Sequence, residues 1–329
     1  MKRVIIYCGV LLILSACLKM ESSDGNQTNV QEPTQVIEPK TTKGYTSLLG
    51  KELIKPEISS RELSKRKRQL NLAKIAFDQN LDSLDSYVWL GRRLAYLYEY
   101  DSAIKVFSSG LSKFPEAYQL YRHRGHRYIT TRQFEKAISD LTQAAFFIRN
   151  RPIEIEKDGL PNKRNIPRTT VQFNIWYHLG LVYYLKGDYD KAISAYKKCL
   201  EISDNDDMLV AATDWLYMTY RKIGNSESAN SLLTDIKRRM DIMENNSYHN
   251  RLLMYQGKKE PSELFDLNQS KSNIYLITQG YGVGNWYYYN GQTNKALEIF
   301  EKLIESESWH AFGYLAAEVE LYNIRNSGS

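Results

Sequence analysis

The densest group of side chains able to do chemistry is the run RHRGHR at residues 122–127. Arg122, Arg124 and Arg127 carry planar guanidinium forks, which match a carboxylate or phosphate through paired hydrogen bonds. His123 and His126 are three residues apart and share one face if the segment is helical. Together with His178 they could be drawn as a zinc site. No Cys or carboxylate stands beside them at ligand spacing, and the neighbouring arginines disfavour a cation, so no metal is expected. An anion contact whose strength depends on pH suits the cluster better. Elsewhere there is no nucleophile elbow, HExxH or phosphate loop. The glycine-rich run GYGVGNW at 280–286 has helical neighbours on both sides, where small residues let helices approach closely. The sequence therefore predicts no catalytic residue and no cofactor, and a protein that binds rather than converts.

The other chemically distinctive residue is Cys17. Residues 1–16 begin with Lys2 and Arg3 and continue as an apolar run from Val4 to Ala16. As a helix that run reaches only ~20 Å, short of the ~30 Å hydrocarbon core, so it reads as a secretory signal and not a membrane span. Its end, Leu14-Ser15-Ala16-Cys17, resembles a bacterial lipobox. That resemblance implies cleavage before Cys17, acyl chains carried on Cys17, and a protein held at the membrane by lipid. Leu18, where many inner-membrane lipoproteins have Asp, favours the outer membrane. From Leu18 to about Ser60 the composition turns to Ser, Thr, Asn, Gln, Glu and Pro without amphipathic period, which predicts a flexible tether over residues 17–60. Of the remaining cysteines, Cys8 lies in the leader and Cys199 at a small buried position, so no disulfide framework is expected.

The elements that must position the cluster are helical hairpins. In WYHLGLVYYLKGDYDKAISAYKKCL, Trp176 to Leu200, apolar or small residues fall at Trp176, Leu179, Gly180 and Tyr183, and again at Ala192, Tyr196, Cys199 and Leu200. Gly187 marks the reversal between the halves. One such hairpin cannot bury both apolar faces, so stacked copies are required. Trp at position 4, Leu-Gly at 7–8, Tyr at 11, Gly at 15 and Ala at 20 resemble the tetratricopeptide repeat (TPR). The 34-residue step from Ala103 to Ala137 is the TPR period. Tyr87, Leu90-Gly91, Leu94, Phe107 and Pro115 place a first repeat, and Tyr121, Gly125, Tyr128, Leu141 and Ala144 a second. Gly224 with Ala229, Gly257 with Ser262 and Gly291 with Ala296 continue the register to six repeats. The predicted fold is all-α, a TPR superhelical solenoid over residues 61–329. It would be led by a basic amphipathic helix at 61–83 that contains Lys-Arg-Lys-Arg at 65–68. A helix after Ser308 would cap the last repeat.

Between the second and third repeats about 21 residues, 152–172, are inserted, with Pro152, Pro161 and Pro167 and no helical period. Thr170 is placed to cap the next helix. The insertion reads either as a flap over the binding face, using Lys163, Arg164 and Asn165, or as a tolerated surface loop.

The resemblance implies that the first helix of each repeat faces a concave groove. On this register the groove residues are Trp89, Arg92, Arg122, His123, His126, Tyr177, His178, Tyr184, Trp215, Arg221, Arg251, Tyr281, Asn285 and Tyr288. Aromatic faces with guanidinium forks suit an extended peptide bearing carboxylates, or a sugar stacked on the rings. Neighbouring repeats can equally bury many of these rings. The chain carries 44 basic and 38 acidic residues. Removal of Lys2 and Arg3 with the leader lowers the net from +6 to +4, and the charges are interspersed, so nucleic acid is not an expected partner. The reading is an outer-membrane adaptor or scaffold that binds a protein or peptide of the cell envelope, with glycan or small-ligand capture as the alternative.

Overall fold

A computed structural model describes residues 44–267 and 274–327. Lipidation of Cys17, the leader and most of the expected tether lie outside the described residues. Helix α1 (Ser60–Gln79) is followed by six helical pairs: α2 (Leu84–Tyr96) with α3 (Tyr100–Lys113), α4 (Tyr118–Thr130) with α5 (Phe134–Ile148), and α6 (Val171–Lys186) with α7 (Tyr189–Glu201). The stack continues as α8 (Asp206–Lys222) with α9 (Ser226–Ser231), α10 (Asn246–Tyr255) with α11 (Pro261–Leu264), and α12 (Ile274–Tyr289) with α13 (Thr293–Ile304), and α14 (Phe312–Ser327) closes it. The expected all-α repeat architecture is therefore present.

Each pair closes where the register requires a small side chain. Ala103, Ala137, Ala192, Ala229 and Ala296 are all fully buried. The fifth repeat departs from this. Ser262 is exposed, and the second helix of its pair is a single turn. The turn between helices needs a left-handed residue, supplied by Gly187, Gly224, Gly257 and Gly291 at φ between 70° and 80°. In the first two repeats the same position is held by Tyr98 and Arg132, both at φ 62°. Bulky side chains rarely adopt this conformation, at a cost of order 1 kcal/mol each, so surrounding contacts must hold them there.

Those contacts reach the far end of the chain. Arg132 forms an ion pair with Glu318 at 2.9 Å and donates to the Trp309 carbonyl at 3.1 Å. The Tyr98 ring lies 5.1 Å from that of His310. Part of the expected tether is also ordered here. Residues 45–46 (β1) and 52–53 (β2) form a short antiparallel hairpin. Its Tyr45 ring packs on Tyr100 and Trp309, Leu48 N–H donates to Glu318 at 2.8 Å, and the Ile54 carbonyl accepts from the Trp309 indole at 2.6 Å. A few apolar anchors in polar surroundings were enough to order residues 44–54, which composition alone reads as linker.

Helix α14 does more than cap. Residues 313–321 are buried on every side, as in a helix enclosed by others and not one that lies on the last repeat. It packs on α12 and α13 and also on α6. Phe312 meets His126, His178 and Tyr177, with ring centroids 5.4–6.4 Å apart. The face that the repeat register assigns to a groove therefore holds the chain's own last helix.

Candidate functional site

The groove residues of the later repeats bond to one another. The Tyr177 hydroxyl lies 2.8 Å from that of Tyr248, and the Tyr184 hydroxyl 2.5 Å from that of Tyr281. Asn285 donates to Tyr184 at 3.0 Å. These bonds join α6 directly to α10 and α12. The Trp215 ring packs against both the Tyr184 and the Tyr281 ring. Arg251 is fully buried, forms an ion pair with the fully buried Asp214, and donates to the Thr278 carbonyl at 2.7 Å. A Cβ on Gly282 would lie 2.0 Å from Arg251 Cδ, so one glycine of the 280–286 run exists to admit that side chain. Tyr177, His178, Tyr184, Trp215, Arg251, Tyr281 and Asn285 are all buried, which corrects their expected role as an open binding wall. Most of their polar atoms find partners within the fold, the Trp215 indole N–H and the Asn285 side-chain oxygen being the exceptions. Arg221 and Tyr288 stay half-buried, Arg221 over the Tyr289 ring and bonded to Asn290, and Tyr288 beneath Lys222. Lys222 in turn pairs with Glu320 of α14 at 2.7 Å.

Of the basic cluster, Arg124 pairs with Asp140 of α5 at 2.7 Å, whereas Arg122 and His123 meet a carboxylate that comes from the insertion. Glu156, only 6% exposed, lies 3.7 Å from Arg92, 3.5 Å from Arg122 and 3.5 Å from His123. Arg122 donates to His123 Nδ1 at 2.7 Å, which leaves the ring proton on Nε2, facing Glu156. Asn174 donates to Glu156 at 3.2 Å, and Trp89 lies against Arg92 and Arg93. The insertion is pinned along its length. Thr170 caps α6, and residues 154–156 pair with 169–171. Arg93 holds the Gly159 carbonyl at 2.8 Å, and Asn162 donates to Glu244 at 2.7 Å. It thus runs from the first repeat to the loop before α10. Lys163, Arg164 and Asn165 are exposed on it.

The histidines do not titrate as expected. Burial first, and then the adjoining arginines, push His123, His126 and His178 well below the ordinary imidazole range. The His126 and His178 rings are 4.3 Å apart, and His178 Nδ1–H donates to the Asn174 carbonyl. All three are neutral at physiological pH, so the anion contact of this cluster is not switched by them.

One part of the first-helix face stays open. A cleft of about 1130 Å³ lies where repeats 1 and 2 meet the segment before α14. Its walls include Tyr96, Tyr98, Tyr100, His126, Arg127, Leu160, His310 and Phe312. Arg127 packs over the Tyr100 ring at 5.2 Å, and among the described residues its guanidinium has no carboxylate within ion-pair distance. Burial and, after it, the neighbouring Arg122 and Arg92 push its pKa down. Burial, and then Arg127, Arg66 and Arg132, push the His310 pKa down to about 4, so the ring is neutral at physiological pH, and its Nδ1 has no partner. Arg66, the second guanidinium of the cleft, is already bound to Glu62 and to the Tyr96 carbonyl. Glu57 and Glu307, both exposed, stand at the rim.

Sequence reasoning placed Arg127 in the cluster but not in the groove, and it missed Glu156, Tyr98, Arg132, His310 and Glu318. A signal for two of these was present, because Tyr98 and Arg132 stand where four other repeats have glycine. No group of three His, Cys, Asp or Glu poised to hold a metal occurs among the described residues.

Residues 173–206 and 280–307 match the tetratricopeptide repeat. BBSome complex member BBS4 of Bos taurus is 27% identical over 134 residues, which is 41% of this chain and 22% of that protein. The chain thus aligns with about a fifth of its curated relative. Among solved structures, YrrB, described as a TPR protein with an unusual peptide-binding site, is 16% identical over 71% of this chain and 91% of its own, with a TM-score of 0.41. MamA from Desulfovibrio magneticus RS-1 is 18% identical over 54% and 87%, with a TM-score of 0.40. The chain carries TPR repeats, a fold consistent with protein–protein interaction.

Proposed function

We propose that this chain is a non-catalytic adaptor of the bacterial envelope, held at the outer membrane by acyl chains on Cys17, that captures a carboxylate-bearing peptide segment of a protein partner. The observation that carries this reading is the cleft at Arg127. It combines an uncompensated guanidinium, three tyrosines, two neutral histidines and an apolar edge at Leu160 and Phe312. A desolvated cation without a counter-ion is costly, and a bound carboxylate offsets that cost while accepting charge-assisted hydrogen bonds. The first repeats already show the same chemistry, since Arg92, Arg122 and His123 hold Glu156 of an extended segment. A sugar stacked on the tyrosine faces is the second reading, supported by the aromatic share of the walls.

Photo-crosslinking in cells tests the proposal. A photoreactive phenylalanine at Leu160, 45% exposed on the cleft wall, is expected to capture a protein partner. The same group at Arg221 is expected to capture none, and Arg127→Met is expected to abolish capture from Leu160. Capture from Leu160 that is unchanged by Arg127→Met would reject the carboxylate reading. Incorporation of labelled palmitate that survives Cys17→Ser would reject the anchor.

A further inference from the structure

Helix α1 presents two unlike faces. Leu70, Ala73 and Phe77 turn inward, with the Phe77 ring 4.8 Å from that of Tyr87. Arg66 shares that side, bonded to Glu62 and to the Tyr96 carbonyl. At 3.6 residues per turn, Arg61, Lys65, Arg68, Leu72 and Ile75 fall within a strip about 80° wide, directly opposite. All five are exposed, Leu72 at 61% and Ile75 at 45%. The helix's two acids, Glu62 and Asp78, lie off this strip. Among the described residues, none of Arg61, Lys65 and Arg68 has an ion-pair partner.

We infer that this strip of α1 lies on an anionic lipid surface, with Arg61, Lys65 and Arg68 among the headgroups and Leu72 and Ile75 at the edge of the acyl region. Three aligned cations leading into two exposed aliphatic side chains on one straight helix fit a flat, negatively charged interface. The hollow of about 810 Å³ among Arg61, Lys65 and Arg68 is lined by polar and charged residues alone, Ser59, Glu62 and Ser64 completing it, so it suits lipid headgroups and offers an apolar partner helix nothing to bury against. An acidic protein would satisfy the cations, but it would not call for bare leucine and isoleucine in line with them. The contact stands whether or not Cys17 is acylated. Where both act, the cations add to the attachment made by the acyl chains. They would also fix the orientation of the repeats against the bilayer.

The test uses the full chain with an environment-sensitive fluorophore on Leu72→Cys, mixed with phosphatidylethanolamine vesicles with or without phosphatidylglycerol. Blue-shifted emission is expected only with phosphatidylglycerol, reversed by 0.5 M salt. The combined Arg61→Glu, Lys65→Glu and Arg68→Glu variant is expected to need at least about tenfold more anionic lipid for the same shift. These residues are exposed and unpaired, so the variant keeps the fold, checked by circular dichroism. Equal emission on both vesicles, or a shift that the triple variant retains, overturns the inference. So does a shift produced by soluble envelope proteins and not by lipid. A chain without acyl groups that still shows the phosphatidylglycerol-dependent shift would reject the anchor reading alone. An acylated chain that floats with both vesicles but shows no shift would reject this one alone.

Discussion

Repeats 1 and 2 and repeats 4 to 6 present the same helix positions to the same face, yet the two regions have opposite fates. In the later repeats that face is sealed. Arg251 meets Asp214, tyrosine hydroxyls meet each other, and the fully buried Trp215 fills the middle. In the early repeats it is only partly filled, by Glu156 from the insertion and by the segment before α14, and Arg127 is left uncompensated in an open cleft. A repeat position thus fixes where a side chain points but not what meets it. The partner comes from elements outside the repeat: an insertion, a terminal helix and an N-terminal hairpin.

The sharpest way to break this contrast is Asp214→Ala. It strands Arg251 in a dry interior and is expected to cost about 3–5 kcal/mol in chemical denaturation. A loss under 1 kcal/mol would show the later wall to be open to water. Acid is expected to be the next largest effect. His310 has a folded pKa of about 4 against an ordinary 6.5, and burial also holds His123, His126 and His178 well below the ordinary imidazole range. Groups lowered on folding give stability that is intact above pH 6.5 and is lost as pH falls toward the folded values. For His310 alone the loss by pH 4 is roughly 3 kcal/mol. A melting temperature flat between pH 7 and 4.5 would contradict this burial.

The two left-handed turn residues should separate next. Arg132→Gly relieves the backbone but strands Glu318, which is 1% exposed, so a net loss of about 2 kcal/mol is expected by thermal melting. Tyr98→Gly gives up only half-buried ring contacts for the same relief and should stay within about 1 kcal/mol of wild type. If the order were reversed, closure through Arg132 would not be what holds the ends together. The smallest effect on stability is expected at Arg127. Its replacement by Met removes a desolvated, uncompensated cation along with one cation–π contact, and should change stability by less than about 1 kcal/mol.

The repeats were legible in the sequence because they depend on local rules. The Ala at position 20 and the turn glycine are dictated within one hairpin, and the all-α fold follows from them. The faint fifth copy was the weak point, and it is there that Ser262 is exposed and the second helix shrinks to one turn. The site was less legible because it is made by contacts between residues far apart in the chain. The pairs Arg132–Glu318, Tyr184–Tyr281 and Arg122–Glu156 join different elements, and no periodicity encodes them. The substitution of glycine by Tyr98 and Arg132 was the one local sign that the first two turns serve a distant contact.

The central claim is that Arg127 in the seam cleft, and not the sealed wall of the later repeats, recognises a carboxylate. The most direct measurement is calorimetric titration of wild type and Arg127→Met with the peptide recovered from the Leu160 crosslink, its carboxylates intact or converted to amides. Wild type is expected to bind the intact peptide at least about tenfold more tightly than the amide, the size of one charge-assisted contact, and Arg127→Met is expected to bind both equally. Equal binding of the two peptides by wild type would contradict the account.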